Sequence, residues 1–251
     1  MGTAKQSMPD KVALVTGSSR NIGQAIARTL AENGSHVVIH AAHDLEAAKQ
    51  SLSLVEACGR QGLITLGDLA DPETAPRIMK EVLDRFGRLD TLVNNAAIRP
   101  ECPFAELSFA EWRRVMSVCL DAVFLITQAA LAALQKSPQA AIINIGGLTA
   151  HTGASNRAHV ISAKAGLVGF TRALAHELSP DGITVNCVAP GLIETVREAG
   201  NKPQHHDTRT NLVHRRGLPE EIAESVAFLA GNSGRYITGQ TMHVNGGAYL
   251  A

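Results

Sequence analysis

The stretch Val12-Ala13-Leu14-Val15-Thr16-Gly17-Ser18-Ser19-Arg20-Asn21-Ile22-Gly23 decides the fold of this chain. Its first four residues are apolar without alternation, which predicts a strand buried on both faces. Gly17 and Gly23 then bracket a tight turn, and a helical pattern runs from about Ile22 to Asn33, where Gly34 stops it. Strand, glycine turn and helix in that order bring backbone N–H groups to a helix N-terminus, where the helix dipole favours a pyrophosphate. A glycine pattern alone would be weak; its place between a strand and a helix gives it weight. Asn21 sits inside the turn, and asparagine tolerates left-handed backbone better than most residues.

Outward from this unit the same alternation continues. Short apolar runs at 37–40, 63–66, 89–93, 141–145, 184–188 and 240–244 predict strands. Helical patterns cover 45–60, 72–86, 109–134, 158–178 and 219–230, with Asp71 as N-cap of the second of these and Gly87 after its end. Strands buried on both faces and alternating with helices imply an α/β chain with a single-domain, Rossmann-type, doubly wound parallel sheet, flanked by helices on both faces. The ligand crevice then lies at the carboxyl ends of the strands. One domain spans 11–251, residues 1–10 read as a flexible lead-in, and 194–218 is the long irregular stretch.

With 251 residues the chain can bury a sizeable core. Lys+Arg and Asp+Glu both number 23, so no net basic charge points to nucleic acid or an anionic membrane. Cys58, Cys102, Cys119 and Cys187 form no C-x-x-C pair, which predicts reduced thiols in a cytoplasmic protein. No signal-peptide pattern opens the chain. The apolar run Ala122 to Leu134 is interrupted by Thr127 and Gln128 and falls short of the ~18–20 residues of a membrane span.

From Thr16-Gly17-Ser18-Ser19-Arg20-Asn21-Ile22-Gly23 to Val244-Asn245-Gly246-Gly247 the chain resembles the short-chain dehydrogenase/reductase family, its 3-oxoacyl-acyl-carrier-protein reductase-like members in particular. The resemblance implies a nicotinamide cofactor on the phosphate loop (Gly17, Ser19, Arg20, Asn21, Ile22, Gly23), with His43 beside the second strand's end. Asp68 and Leu69 would meet the adenine. Asn95-Ala96-Ala97 matches the family's Asn-Ala-Gly stretch with Ala97 in place of glycine, and Pro190, Gly191, Ile193 and Thr195 match the loop over the nicotinamide. Lys164 matches the lysine that holds the ribose hydroxyls. An acid at the end of the second strand would repel a 2′-phosphate, but that end reads His40-Ala41-Ala42-His43, with no carboxylate until Asp44. Arg20 can pair with such a phosphate, so NADP(H) is favoured over NAD(H).

The family's catalytic Asn, Ser and Tyr positions fall on Cys119, Gly147 and Val160, and only Lys164 remains. Loss of a general acid typically slows a reaction ~10²–10⁴-fold, and loss of an oxyanion donor roughly another 10²–10³. Stand-ins are Arg157, seven residues before Lys164 and so on a similar helical face, His151 and Thr149 on the loop after the fifth strand, and His159; His159 and Ser162 point away from the Val160–Lys164 face. His205-His206-Asp207 reads as a polar loop, with no metal site expected. Two functions remain open: an NADP(H) oxidoreductase of atypical mechanism on a small-molecule substrate, or a redox-inactive nucleotide-binding member, partner subunit or non-redox enzyme. Helices 109–134 and 158–178 resemble those that pack between subunits, which implies a homo-oligomeric dimer or tetramer.

Overall fold

The computed structural model describes residue 8, residues 10–196 and residues 211–250. Its strands are β1 (Val12–Val15), β2 (His36–Ala41), β3 (Gly62–Leu66), β4 (Thr91–Asn94), β5 (Ala141–Ile145), β6 (Thr184–Pro190) and β7 (Thr241–Val244). Its helices are α1 (Asn21–Glu32), α2 (Leu45–Ala57), α3 (Thr74–Phe86), α4 (Phe109–Met116), α5 (Ala122–Leu134), α6 (Thr149–Thr152), α7 (Ala158–Glu177) and α8 (Pro219–Ala230). The sheet is parallel throughout, in the order β3-β2-β1-β4-β5-β6-β7.

Strand periodicity divides the core into two layers. Ala13, Val15, Val37 and Ile39 face α1 and α8 through Ile26, Leu30, Ile222 and Val226. Val12, Leu14, Val38 and Leu92 face the other way, onto Ile78 and Val82 of α3 and Ile126 and Leu134 of α5. The strand order reverses direction between β1 and β4, so the crossovers from these two strands leave to opposite faces of the sheet and a crevice opens at the strands' carboxyl ends. At the opposite edge the fully buried Asp90 ties the layers together. It accepts from the Val12 N–H at 2.8 Å, from Arg88 Nε at 2.9 Å and Nη2 at 2.6 Å, and from Ser137 Oγ at 2.5 Å.

The structure departs from the sequence reading at several places. Met8 falls within the expected lead-in, yet it is buried in the core and its N–H donates to the Asn33 carbonyl at 2.6 Å. The second helix ends at Ala57 rather than residue 60, because Gly59 turns the chain at φ +73. Asp71 does not cap α3. Its carboxylate accepts from the Glu73 N–H in a local turn, and the helix starts later, at Thr74. The helix over 109–134 is continuous as read, but Ser117–Asp121 forms a π-helical turn between α4 and α5. Over its full 26 residues it is long and apolar enough to cross a bilayer, which the shorter run from Ala122 was not. Its Ile126, Ala130 and Leu134 pack against the sheet instead, as a layer of the fold.

Candidate functional site

A cleft of about 360 Å³ opens at the carboxyl ends of β1, β2, β4, β5 and β6. Its floor is a junction of two loops. Gly17 has φ +62, and a Cβ there would stand 2.8 Å from Ala96 Cα, so only glycine lets the loops after β1 and β4 meet. Asn95 staples the junction, its Nδ2 donating to the Thr16 and Gly17 carbonyls at 2.9 Å each. Thr16 Oγ1 answers by accepting from the Asn95 N–H at 2.9 Å and the Ala96 N–H at 3.1 Å. Asn95 is therefore a holder of the loop.

The N-terminus of α1 faces this cleft without a side-chain cap at Arg20 and without an acid in its first turn. Free N–H groups and an uncompensated dipole make that end suited to an anion. Asn21 takes the left-handed backbone expected of it, with φ +50. Its side chain also pairs with the backbone of Val196, accepting from the N–H at 2.8 Å and donating to the carbonyl at 3.1 Å. The phosphate loop thus holds the start of the 194–218 stretch, most of which lies outside the described residues, as does His205-His206-Asp207.

Most expected cofactor residues line one continuous wall: Gly17, Ser19 to Gly23, Asp68, Leu69, Asn95 to Ala97, Lys164, Pro190, Gly191, Ile193 and Thr195. His43 does not; it is exposed beyond the rim, and Ala41 and Ala42 line the cleft in its place. Asp44 is turned away to cap α2, Oδ1 accepting from the Ala47 N–H at 3.0 Å. The side chain that sequence reasoning missed is His40. Its Nδ1 accepts from the Gly17 N–H at 3.1 Å and its Nε2 lies 2.9 Å from the Gly67 carbonyl, joining the loops after β1 and β3. Accepting at Nδ1 requires a neutral ring, and burial holds its pKa below the ordinary value. The alternation of β2 predicts a buried residue at 40; a polar one at a strand end beside a glycine turn was the available signal.

At the other end of the cleft stands Lys164, 5% exposed, its Nζ donating to the Ile145 carbonyl at 2.5 Å. Burial pushes its pKa down; the Cys119 and Cys187 thiols oppose that and Arg99 adds to it. The Cys187 thiol beside it is itself pushed up to about 11 by burial. Val160, one turn before Lys164, is buried and lines the wall beside Val118 and Gly147. A Cβ on Gly147 would meet nothing within 4 Å, so the backbone there has room for a side chain that the sequence does not supply. Cys119 does not reach the cleft. It sits in the π-turn among Val115, Val160 and Ala163, its Sγ donating to the Ile98 carbonyl at 3.3 Å.

The four candidate stand-ins part company. Arg157 lines the cleft, as its spacing from Lys164 predicts. His151 does not: Thr149 on the same short helix does, while the His151 ring turns to His243 and Tyr249, with centroids 4.5 Å and 5.6 Å away. Burial, and then Arg172, lower its pKa. His159 is fully buried away from the cleft, with neither ring nitrogen hydrogen-bonded, and burial lowers its pKa. Ser162 lies outside the lining. The only imidazole among the described lining residues is that of His40, which joins the loops after β1 and β3; around Lys164 and Val160 the lining offers cations and apolar walls, with no phenol.

Comparison with known proteins covers almost the whole chain. Residues 17–249 match the family model described as enoyl-(acyl carrier protein) reductase. The 3-oxoacyl-[acyl-carrier-protein] reductase of Vibrio cholerae is 40% identical over 246 residues, 97% of this chain and 99% of that protein. Its Escherichia coli counterpart is 38% identical over 245 residues, 96% of this chain and 98% of that one. Among solved structures, a dehydrogenase/reductase from Sinorhizobium meliloti superposes with TM-score 0.92 at 34% identity, covering 97% of each chain. A short chain dehydrogenase from Burkholderia cenocepacia in complex with NADP superposes with TM-score 0.90 at 33% identity, covering 98% of this chain and 99% of that one.

Proposed function

The chain belongs to the short-chain dehydrogenase/reductase family, and on that premise we propose that it binds NADP(H) in the cleft and acts as an oxidoreductase of atypical mechanism on a small-molecule substrate. The Burkholderia relative with NADP supports the cofactor, as does the uncapped α1 terminus. Preference for the 2′-phosphate rests on Arg20 at the rim beside Ala41 and Ala42, with Asp44 committed to capping α2. When bound, the nicotinamide supplies or accepts a hydride. Lys164 would hold the ribose hydroxyls, the Gly17–Gly23 loop and α1 terminus would take the pyrophosphate, and Arg20 would take the 2′-phosphate.

The observation that carries the atypical mechanism is Lys164 in the cleft wall with Val160 and Gly147 beside it, where neither residue donates a proton. Proton delivery then falls to water, to the substrate or to a cation of the wall. A redox-silent nucleotide-binding role is the second reading, favoured by the apolar packing that closes over Cys119. The exposed faces of Phe109 and Phe124 on the long helix support assembly into a dimer or tetramer, and the reduced cysteines fit a cytoplasmic setting.

Fluorescence titration with NADPH and NADH tests the cofactor; absence of binding by either rejects both readings. The double substitution Val160→Tyr with Gly147→Ser restores an acid and a donor, so turnover of a ketone panel with NADPH should rise ~10²–10⁴-fold. Wild-type turnover equal to that of the double variant would show that the site already has a working acid.

A further inference from the structure

His40 is bonded to two walls of the cleft at once. It is the last residue but one of β2, it is 2% exposed, and it lines the cleft beside Ala41 and Ala42. Its main chain is tied to the phosphate loop: the N–H donates to Ser18 Oγ at 3.0 Å and the carbonyl accepts from the Ser18 N–H at 2.9 Å. Its ring ties that loop again at Gly17, 3.1 Å from Nδ1, and reaches the Gly67 carbonyl, 2.9 Å from Nε2. A backbone N–H only donates and a carbonyl only accepts, so these partners fix a neutral ring with its proton on Nε2. One side chain therefore braces the loop that leads into α1 against the loop that carries Asp68 and Leu69.

A second proton, on Nδ1, would point at the Gly17 N–H, donor against donor. The Gly17 peptide cannot turn its carbonyl to meet that proton, because Asn95 Nδ2 holds the oxygen at 2.9 Å. A charged ring must leave, and both loops then lose their brace. The charged groups around the ring are Asp68 after β3, which favours the proton, and Arg77 of α3, which opposes it and donates from Nη2 to the Leu66 carbonyl at 2.6 Å. Arg20 of the phosphate loop lines the same cleft. Burial is the largest influence on the ring and keeps it neutral. We propose that His40 is a positioning residue for the nucleotide: its neutral ring holds the Gly17 peptide so that the α1 terminus is presented to a pyrophosphate, and nucleotide and proton therefore compete for the protein. This rests on the reading of the cleft as an NADP(H) site. Bound phosphates would attract an imidazolium, but only one that could stay in place. Affinity is therefore full while the folded ring is neutral and falls by up to ~10-fold per pH unit once it titrates, on the acid side of ~6.5.

The test is fluorescence titration of the full chain with NADPH from pH 8 to pH 5, for wild type, His40→Leu and His40→Asn. Leucine strands the Gly17 N–H and the Gly67 carbonyl, so affinity at pH 8 should fall by roughly 10–100-fold. The Oδ1 of asparagine can accept from the Gly17 N–H as Nδ1 does, and it does not titrate, so His40→Asn should recover most of that loss. The 2′-phosphate of the ligand takes up a proton near ~6 as well, but it does so with every protein and cancels in the comparison. Between pH 8 and pH 5 wild type should therefore lose at least about threefold more affinity than His40→Asn. Four results overturn the proposal: His40→Leu binding like wild type at pH 8, His40→Asn binding as weakly as His40→Leu, parallel pH profiles for wild type and His40→Asn, or wild type gaining on His40→Asn toward acid. Should His40→Leu fail to fold, the comparison of wild type with His40→Asn decides. Wild type that binds no NADPH at pH 8 rejects the nucleotide reading itself, and with it the proposal. Binding at pH 8 with parallel profiles rejects the role of His40 alone.

Discussion

Replacing Gly23 by alanine probes the junction on which the cleft rests. A Cβ at Gly23 would stand 2.3 Å from the Gly17 carbonyl oxygen, 2.6 Å from Asn95 Nδ2 and 2.8 Å from Ser18 Cα. Ordinary van der Waals contact begins near 3.4 Å, so the loop and the helix must separate by roughly 1 Å. Helix α1 cannot give way, because Ile26 and Leu30 anchor it in the core. The loop must move instead, and that breaks the Asn95 bond to the Gly17 carbonyl. Overpacking of this kind destabilises by about 1–3 kcal/mol, and the lost hydrogen bond adds about 1 kcal/mol. Alanine's better helix propensity returns up to ~1 kcal/mol, leaving a net loss of about 1–3 kcal/mol. For a domain of this size that lowers Tm by roughly 2–12 °C. NADPH affinity should fall with it, because the displaced N–H groups are those offered to the pyrophosphate. Gly147→Ala is the control: nothing lies within 4 Å of its Cβ, so stability should stay within ~0.5 kcal/mol. Thermal melts and NADPH fluorescence titrations of both variants provide the measurements. A Gly23→Ala protein that melts and binds like wild type would refute the close-packed junction.

Acid should loosen the same junction through His40, whose folded pKa is lowered while the unfolded imidazole takes its proton near ~6.5. The unfolded state binds the proton first, so stability falls as pH drops below ~6.5 and levels off once the folded ring titrates. His151, His159 and His243 are shifted the same way and add to the slope. In urea denaturation between pH 7 and 5, His40→Asn should flatten part of it; an unchanged slope would remove His40 from this account. Asp90→Ala strands the buried Val12 N–H and unpairs Arg88, and should lower urea-derived stability by about 3 kcal/mol. A loss under 1 kcal/mol would mean that water replaces the carboxylate. Lys164→Met exchanges a desolvated ammonium for an apolar side chain, so Tm should hold or rise while NADPH affinity drops. A marked fall in Tm would instead make Lys164 a structural residue.

The elements were legible because buried strands and amphipathic helices leave periods in the sequence, and the phosphate loop because its glycines stand between such elements. The side-chain directions at element ends were not. His43 and His40 flank the same strand end, yet only His40 turns inward, because β2 presents alternate residues to opposite faces and the chain bends away after Ala41. His151 and Thr149 share one short helix, and packing against His243 and Tyr249, more than 90 residues later, decides which of them faces the cleft. Asp71 had the chemistry of a cap, but the Glu73 N–H captured its carboxylate first. Arg157 could be placed from spacing alone, whereas the bond from its Nη2 to the Arg99 carbonyl depends on the loop after β4, which carries no period.

The π-turn at Ser117–Asp121 has a consequence for how this pocket can change. A wider turn holds an extra residue, and each residue in a helix is worth roughly 100° of rotation. The turn therefore sets the angular phase of everything that follows it. Deleting one residue to regularise the helix would swing Ile126, Ala130 and Leu134 off the sheet and bring polar neighbours such as Gln128 round toward it. Side chains within the turn, such as Cys119 among its apolar neighbours, do not set that phase, but the distortion cannot be withdrawn without repacking a whole layer. In this fold the backbone of the turn, and not any one side chain in it, therefore fixes which face of α5 meets the sheet.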